Sequence, residues 1–479
     1  MSKLKNLQPE RVFHYFEEIT KIPHGSENME AIADFCVKFA EKHNLKYYRD
    51  NTNNVVIYKS GTTGYENSEP IILQGHLDMV CQKTENCKID FLKDSLEIFV
   101  DGDFIKARET TLGADNGIAV ASVLAILENN EYSHPPIEAV FTTDEETGMI
   151  GANALDTSVL KSKRMINIDS EEDDTMTVSC AGGTDFKATF SFERECITGT
   201  EIEIIIKGLK GGHSGIEIDK GRVNANILAG RILNYLRITD FRLISIAGGD
   251  KTNAITNLCK IRLCVQNKDV FIKKATAYLE VVKSELSARE NGFSYEINIS
   301  ESGTFNVINK TSENGILYAL CCIPDGVIDM SAEIAGLVET SLNFGILTTS
   351  ENCTEMKISL RSNKMSALAA LEAKLKTFFS TLPCECTTFD KYPSWEFNSN
   401  STLQGLFKEI YEKETGEKLK VEAIHAGLEC GVFASKIKDF DCISIGPTMF
   451  DVHTVKERLS VSSTERTFKI LLKVLENCK

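Results

Sequence analysis

The stretch Ile71-Ile72-Leu73-Gln74-Gly75-His76-Leu77-Asp78 constrains the fold more than any other part of the chain. An apolar run bounded by Pro70 and Gly75 stops, and a histidine and an aspartate follow two positions apart. A run without polar alternation suits a strand covered on both faces, as in a parallel sheet flanked by helices. Sheets of that kind place ligands just beyond the carboxyl ends of their strands. In an extended segment His76 and Asp78 point to the same side. The carboxylate can then take one ring N–H of an imidazole whose other nitrogen faces a metal. Taken alone, the pair is a weak signal that a polar turn after a core strand explains better, so the other strand ends decide.

The pattern recurs. Ile137-Glu138-Ala139-Val140-Phe141 runs into Asp144-Glu145-Glu146, Met165-Ile166-Asn167-Ile168 runs into Asp169, and Cys442-Ile443-Ser444-Ile445 precedes the segment carrying His453. Asp115 stands at the mouth of a helix over 118–127 that is apolar nearly all round and therefore buried; there it is either a helix cap or a ligand. Three consecutive acids at a buried strand end repel one another, and without a cation they would lose charge through raised pKa values. Two histidines and several carboxylates at such positions fit a pair of divalent cations of the zinc type, with one carboxylate bridging.

Composition removes other classes. A formal net charge of -16 sets aside nucleic acid as a partner, because phosphate binding needs concentrated Lys and Arg. No apolar run approaches the roughly 20 residues of a membrane helix, so no membrane partner is expected. The start Met1-Ser2-Lys3-Leu4-Lys5-Asn6 lacks the apolar centre of a signal peptide, and a cytoplasmic location is expected. The 15 cysteines are scattered and odd in number, which favours reduced thiols. Cys321-Cys322 and Cys384-Glu385-Cys386 lack zinc-knot spacing. The glycine-rich run 208–215 lacks the Gly-Lys-Ser/Thr ending of a phosphate loop.

Periodicity predicts packing helices over 8–20 and, after a Ser26 cap, from Met29 to Ala40. Near Gly182-Gly183 the character changes, and from about Asp185 longer alternating strands appear, as in an antiparallel sheet with one face covered. The first style returns after Pro393 with a helix over 403–414, a glycine-rich polar turn over 425–431 and a closing helix over 463–475. The simplest account is a discontinuous α/β domain, 1–184 and 392–479, carrying an inserted α+β domain, 185–391.

Six motifs, taken in order, resemble the M20 metallopeptidases over essentially the full chain. They are His76-Leu77-Asp78-Met79-Val80, Gly113-Ala114-Asp115-Asn116-Gly117, Asp144-Glu145-Glu146-Thr147-Gly148, Ile168-Asp169-Ser170-Glu171, the run from Gly208 to Gly215, and His425-Ala426-Gly427-Leu428-Glu429. The branch most similar is that of the aminoacyl-histidine (Xaa-His, carnosinase-like) dipeptidases. The resemblance implies a di-zinc peptidase domain with a mixed, mostly parallel sheet flanked by helices, plus an inserted lid domain. His76 and Asp169 would hold one zinc, Glu146 and His453 the other, and Asp115 would bridge them. Glu145 would be the general base and Asp78 the carboxylate behind His76. In the lid, His213 would polarise the scissile carbonyl or stabilise the oxyanion. Asn253 and Arg361 are candidates for holding the substrate carboxylate, and Glu429 for receiving the free amine. The implied activity is hydrolysis of unblocked dipeptides, Xaa-His among them. An M20 deacylase or tripeptidase is the alternative enzyme and a non-catalytic metal-binding protein the alternative class. Manganese or cobalt could replace zinc, and a homodimer is left open. Two positions depart from the branch's pattern: Phe450-Asp451-Val452-His453-Thr454 stands where Gly-Pro-His-Ser is usual, and Cys81 where a proline is common.

Overall fold

The computed structural model describes residues 3–479; Met1 and Ser2, which open the segment without an apolar leader, lie outside them. Two compact units divide the chain. The first comprises the chain up to Cys180 with Trp395–Ala423 and Leu428–Lys479, and the second Ala181–Ser394 with Ile424–Gly427. The junctions thus fall a few residues from the expected 184/185 and 391/392, and residues 424–427, expected in the first domain, group with the second unit. Hydrogen bonding explains both differences. The strand Gly182–Ser191 begins at the glycines and pairs Gly182 with Ser362, before its side-chain alternation becomes visible. The Ala181 N–H reaches the carbonyls of Ile424 at 3.1 Å and Ala426 at 3.0 Å.

In the first unit an eight-stranded sheet runs in the order Lys46–Arg49, Val55–Lys59, Ile137–Thr142, Ile71–His76, Arg164–Asn167, Asp441–Ser444, Thr175–Cys180, Lys420–Ile424. The four strands Ile137–Thr142, Ile71–His76, Arg164–Asn167 and Asp441–Ser444 are mutually parallel. Every residue of Ile71–His76 and Ile137–Thr142 is buried, the polar Gln74 and Glu138 included, as expected of strands covered on both faces. Helix Ala114–Glu128 packs on Ile71–His76, and helix Glu10–Ile19 packs on that helix through the side bearing Val12, Phe13, Phe16 and Ile19. A Cβ on Gly75 would lie 2.4 Å from Asn116 Oδ1, so only glycine admits this approach of helix to strand. Ser26 does not cap the helix Glu30–Lys42, which has no side-chain cap; its hydroxyl donates to Asp78 Oδ2 at 2.9 Å instead. The expected polar turn over 425–431 is shortened by a helix, Glu429–Lys436. A smaller four-stranded sheet contains the hairpin of Met449–Phe450 and Arg458–Ser460, with His453 in its loop. Cys180 and Trp395 exchange two backbone hydrogen bonds, 3.0 and 3.1 Å long, where the first unit is interrupted.

The second unit is built on a nine-stranded sheet. Its alternating strands send Phe186, Phe190, Ile204, Ile261, Phe344 and Ile358 into a core covered by helices Ala225–Leu236, Lys268–Leu286, Lys310–Cys322 and Met365–Phe379. A separate two-stranded ladder pairs Gly212 with Ile255 and His213 with Ala254.

Candidate metal centre

His76 is the last residue of its strand and is 1% exposed. Its Nε2 lies 3.1 Å from Asp115 Oδ1 and 3.5 Å from Asp169 Oδ1, while Nδ1 lies 3.0 Å from the Asp78 carbonyl and 3.4 Å from Asp78 Oδ1. One ring nitrogen therefore faces the carboxylates and the other can donate to Asp78, which fixes the tautomer. Asp115 and Asn116 keep non-helical backbone angles at the head of their helix, so the Asp115 carboxylate is free of capping. Its second oxygen, Oδ2, lies 3.0 Å from His453 Nε2, and that nitrogen is 2.9 Å from Glu146 Oε1. Asp115 thus stands between two imidazoles with one oxygen toward each. Ligand atoms of His76, Asp115 and Glu146 all lie within 4.8 Å of one another, the one such cluster of His, Cys, Asp or Glu among the described residues. All 15 cysteines are free.

Asp78 braces the acidic turn. Its Oδ1 accepts the Glu145 N–H at 3.0 Å and its Oδ2 the Glu146 N–H at 3.2 Å. The Glu145 carboxylate makes no hydrogen bond among the described residues, and burial pushes its pKa well above the usual carboxylate range. Burial also raises Asp169, to about 6. His453 rises to about 11 through its contacts with Asp115 and Glu146. For His76, burial works against the charged ring, yet Asp169, Asp115 and Asp78 outweigh it and the pKa is well above normal. Imidazoles held protonated by facing carboxylates, beside Glu145 and Asp169 whose charge burial disfavours, suit cations in the protons' place. His, Asp and Glu donors are also the set that zinc-type cations take.

Asn116 was not singled out from the sequence. Buried completely, it accepts the His76 N–H at 3.2 Å and donates to the Ile168 carbonyl at 2.7 Å. It ties the strand end bearing His76 to the one leading to Asp169. The available signal was a polar residue at the head of an otherwise apolar helix. Glu429 is fully buried; its Oε2 accepts from Gln74 Nε2 at 2.6 Å and Thr142 Oγ1 at 2.7 Å, and Oε1 has no partner among the described residues. Burial lifts its pKa to about 7.

The second unit gathers its own set of predicted residues. His213 Nδ1 accepts the N–H groups of Gly215 at 3.1 Å and Ile216 at 3.2 Å, so its proton sits on Nε2. Burial, and then the charge of Arg361, keep this imidazole below its ordinary pKa. Arg361 is 8% exposed and donates to the Tyr392 hydroxyl at 2.9 Å. Asn253 is exposed, and its carbonyl accepts the Ser214 N–H at 2.9 Å. His425 lies between Ser341 Oγ at 2.7 Å and Asn363 Oδ1 at 3.1 Å.

Carboxylates in need of a cation, beside a glutamate that stays uncommitted, describe a metal-dependent hydrolase built on a mixed sheet whose four middle strands are parallel neighbours, fewer than a mostly parallel sheet would have. Comparison with known proteins narrows the class. The sequence pattern of peptidase family M20/M25/M40 matches residues 72–477. Cytosol non-specific dipeptidase of Escherichia coli (strain K12) is 36% identical over 481 aligned residues, covering 99% of this chain and 99% of that protein. The crystal structure of aminoacylhistidine dipeptidase from Vibrio alginolyticus superposes with a TM-score of 0.92 at 36% identity, over 99% of this chain and 98% of that one. Aminopeptidase PepT from Bacillus cereus shares the fold at a TM-score of 0.58 and 14% identity, over 98% of this chain and 99% of that one. The chain belongs to peptidase family M20/M25/M40.

Proposed function

We propose that this protein is a cytoplasmic, metal-dependent dipeptidase acting on unblocked dipeptides, with Xaa-His among its substrates. The observation that carries the reading is the division of labour at Glu145 and Glu146. Glu146 Oε1 meets His453 Nε2 at 2.9 Å, whereas the carboxylate of Glu145 stays free. The full-length likeness to two dipeptidases supports the substrate class, and the Escherichia coli relative, a cytosol dipeptidase, supports the location.

In this reading His76, Asp115, Glu146, Asp169 and His453 would hold two divalent cations, zinc first and manganese or cobalt as alternatives. When bound, the cations supply Lewis-acid polarisation of the peptide carbonyl and a water of lowered pKa. Glu145, whose carboxylate is uncommitted, would accept a proton from the attacking water and return it to the leaving amine. Asp78 keeps the His76 ring in one tautomer and holds the backbone of the Glu145–Glu146 turn. His213 donates from Nε2 to the oxygen on which charge develops. Arg361 and Asn253 receive the substrate carboxylate. The unpartnered Oε1 of Glu429 receives the free ammonium.

A panel of β-alanyl-histidine, Ala-Ala, Ala-Ala-Ala and N-acetyl amino acids, assayed with each metal, tests the assignment. Cleavage of the two dipeptides with little turnover of the others is expected. Preference for the N-acetyl amino acids or the tripeptide would replace it with a deacylase or tripeptidase. A metal-loaded protein that cuts nothing in the panel would leave only a metal-binding role.

A further inference from the structure

Asp115 and His453 meet at 3.0 Å although they come from different loops. Asp115 follows the bend over 112–114, and His453 sits in the hairpin loop between Phe450 and Arg458. Glu457, 3% exposed and four residues beyond His453, spans the two. Its Oε2 accepts the N–H groups of Leu112 at 2.6 Å and Gly113 at 3.1 Å, and its Oε1 those of Ala114 at 2.8 Å and Asp115 at 3.4 Å. Successive N–H groups turned to one side form a nest for an anion, and Gly113, at φ +70, bends the backbone so that they converge. A carboxylate has about four acceptor sites, so these donors occupy it fully. At the other end the Glu457 N–H donates to the Thr454 carbonyl at 3.1 Å, the Thr454 N–H donates to the Asp451 carbonyl at 3.2 Å, and Asp451 is paired with Arg458. The loop that carries His453 is therefore braced as one piece, with Glu457 as its contact to the Asp115 bend.

We propose that Glu457 is a positioning residue that sets the separation of Asp115 and His453, and so the affinity of the centre for its cations. The inference rests on the reading of Asp115 and His453 as metal ligands. Glu457 itself neither binds a cation nor moves a proton, because its oxygens are committed to backbone donors. In Glu457→Gln one oxygen can still accept, while the amide NH2 opposes two N–H donors, and the bend and the loop come apart.

The test is Zn2+ titration of metal-free protein against a chromophoric chelator, together with thermal unfolding of the metal-free form. Glu138→Gln is the control. Glu138 is equally buried at 4%, and its carboxylate accepts the N–H groups of Lys161 and Ser162 at the opposite end of strand Ile137–Thr142. Glu457→Gln is expected to weaken zinc binding by roughly 10–100-fold, the usual effect of removing a group that orients a ligand. Glu138→Gln should melt earlier yet keep wild-type affinity. Wild-type zinc affinity in Glu457→Gln, or an equal loss in the control, would overturn the proposal. A wild-type chain that takes up no Zn2+ would overturn the metal reading beneath it. Should Glu457→Gln not fold, Glu457→Asp, which keeps the charge but shortens the reach by one methylene, makes the same comparison.

Discussion

Asp78 accepts the backbone N–H of Glu145 at 3.0 Å. The side chain behind the His76 imidazole therefore also fixes the turn from which Glu145 projects. Replacing Asp78 by Asn, which loses one of the two acceptors, should disturb the imidazole and the glutamate pair together. Metal analysis after dialysis should show affinity lowered about 10–100-fold, with kcat reduced even when metal is restored. A variant with normal metal content and normal kcat would make Asp78 a bystander.

Glu145 and Glu146 should separate cleanly. Glu145→Gln removes the uncommitted carboxylate and leaves the contact of Glu146 with His453, so bound metal should be unchanged. Turnover should fall by about 10²–10⁴-fold, the range for loss of a positioned proton-transfer group. Full activity in this variant would refute the assignment of the base.

His213→Gln tests the second unit. Two N–H donors hold Nδ1 as an acceptor and leave the Nε2 proton for a substrate oxygen. The loss expected for one oxyanion donor is about 10²–10³-fold in kcat, with metal content and KM nearly constant. A purely structural histidine would instead lower the melting temperature and leave kcat per folded molecule intact.

Asp325, in the second unit, gives a pH dependence that involves none of the proposed metal ligands. Burial raises its pKa to about 7, despite hydrogen bonds from the Phe344 N–H and Asn224 Nδ2. The folded value lies above the unfolded one, so the folded state binds the extra proton. Stability from this group is complete below about pH 4 and is lost as pH rises toward 7. Asn in its place can accept both hydrogen bonds without a charge to bury. Asp325→Asn should therefore raise stability at pH 8 by at most a few kcal/mol, at about 1.4 per pK unit, read as a higher melting temperature, and give no gain at pH 4. An equal shift at both pH values would exclude titration of Asp325 as the cause.

The strand ends were legible in the sequence because a parallel strand buried on both faces cannot hide its apolar run, and the first polar residues after it are conspicuous. Other features were written in no local pattern. Ser26 precedes a helix and has the right chemistry for a cap, but a tertiary hydrogen bond to Asp78 takes its hydroxyl. Residues 424–427 group with the second unit through backbone hydrogen bonds and His425, with no shift in composition to mark them. Asn116 and Glu457 act on backbone groups remote in sequence, so neither periodicity nor spacing could single them out. The charge of the centre was legible for a physical reason: adjacent acids after a buried strand demand compensation wherever the fold places it.

The rung formed by Cys180 and Trp395 has a bearing on how proteins of this plan diversify. The main excursion, 181–394, leaves and re-enters at one rung and asks little of its host, since the entropy of closing a chain grows only slowly with its length and neighbouring ends favour insertion of whole domains. All five proposed cation ligands lie on the host side of that rung. The ligand set can therefore be inherited on the host while the appended body, which carries His213, Asn253 and Arg361, varies, so that metal binding and substrate selection can diverge separately.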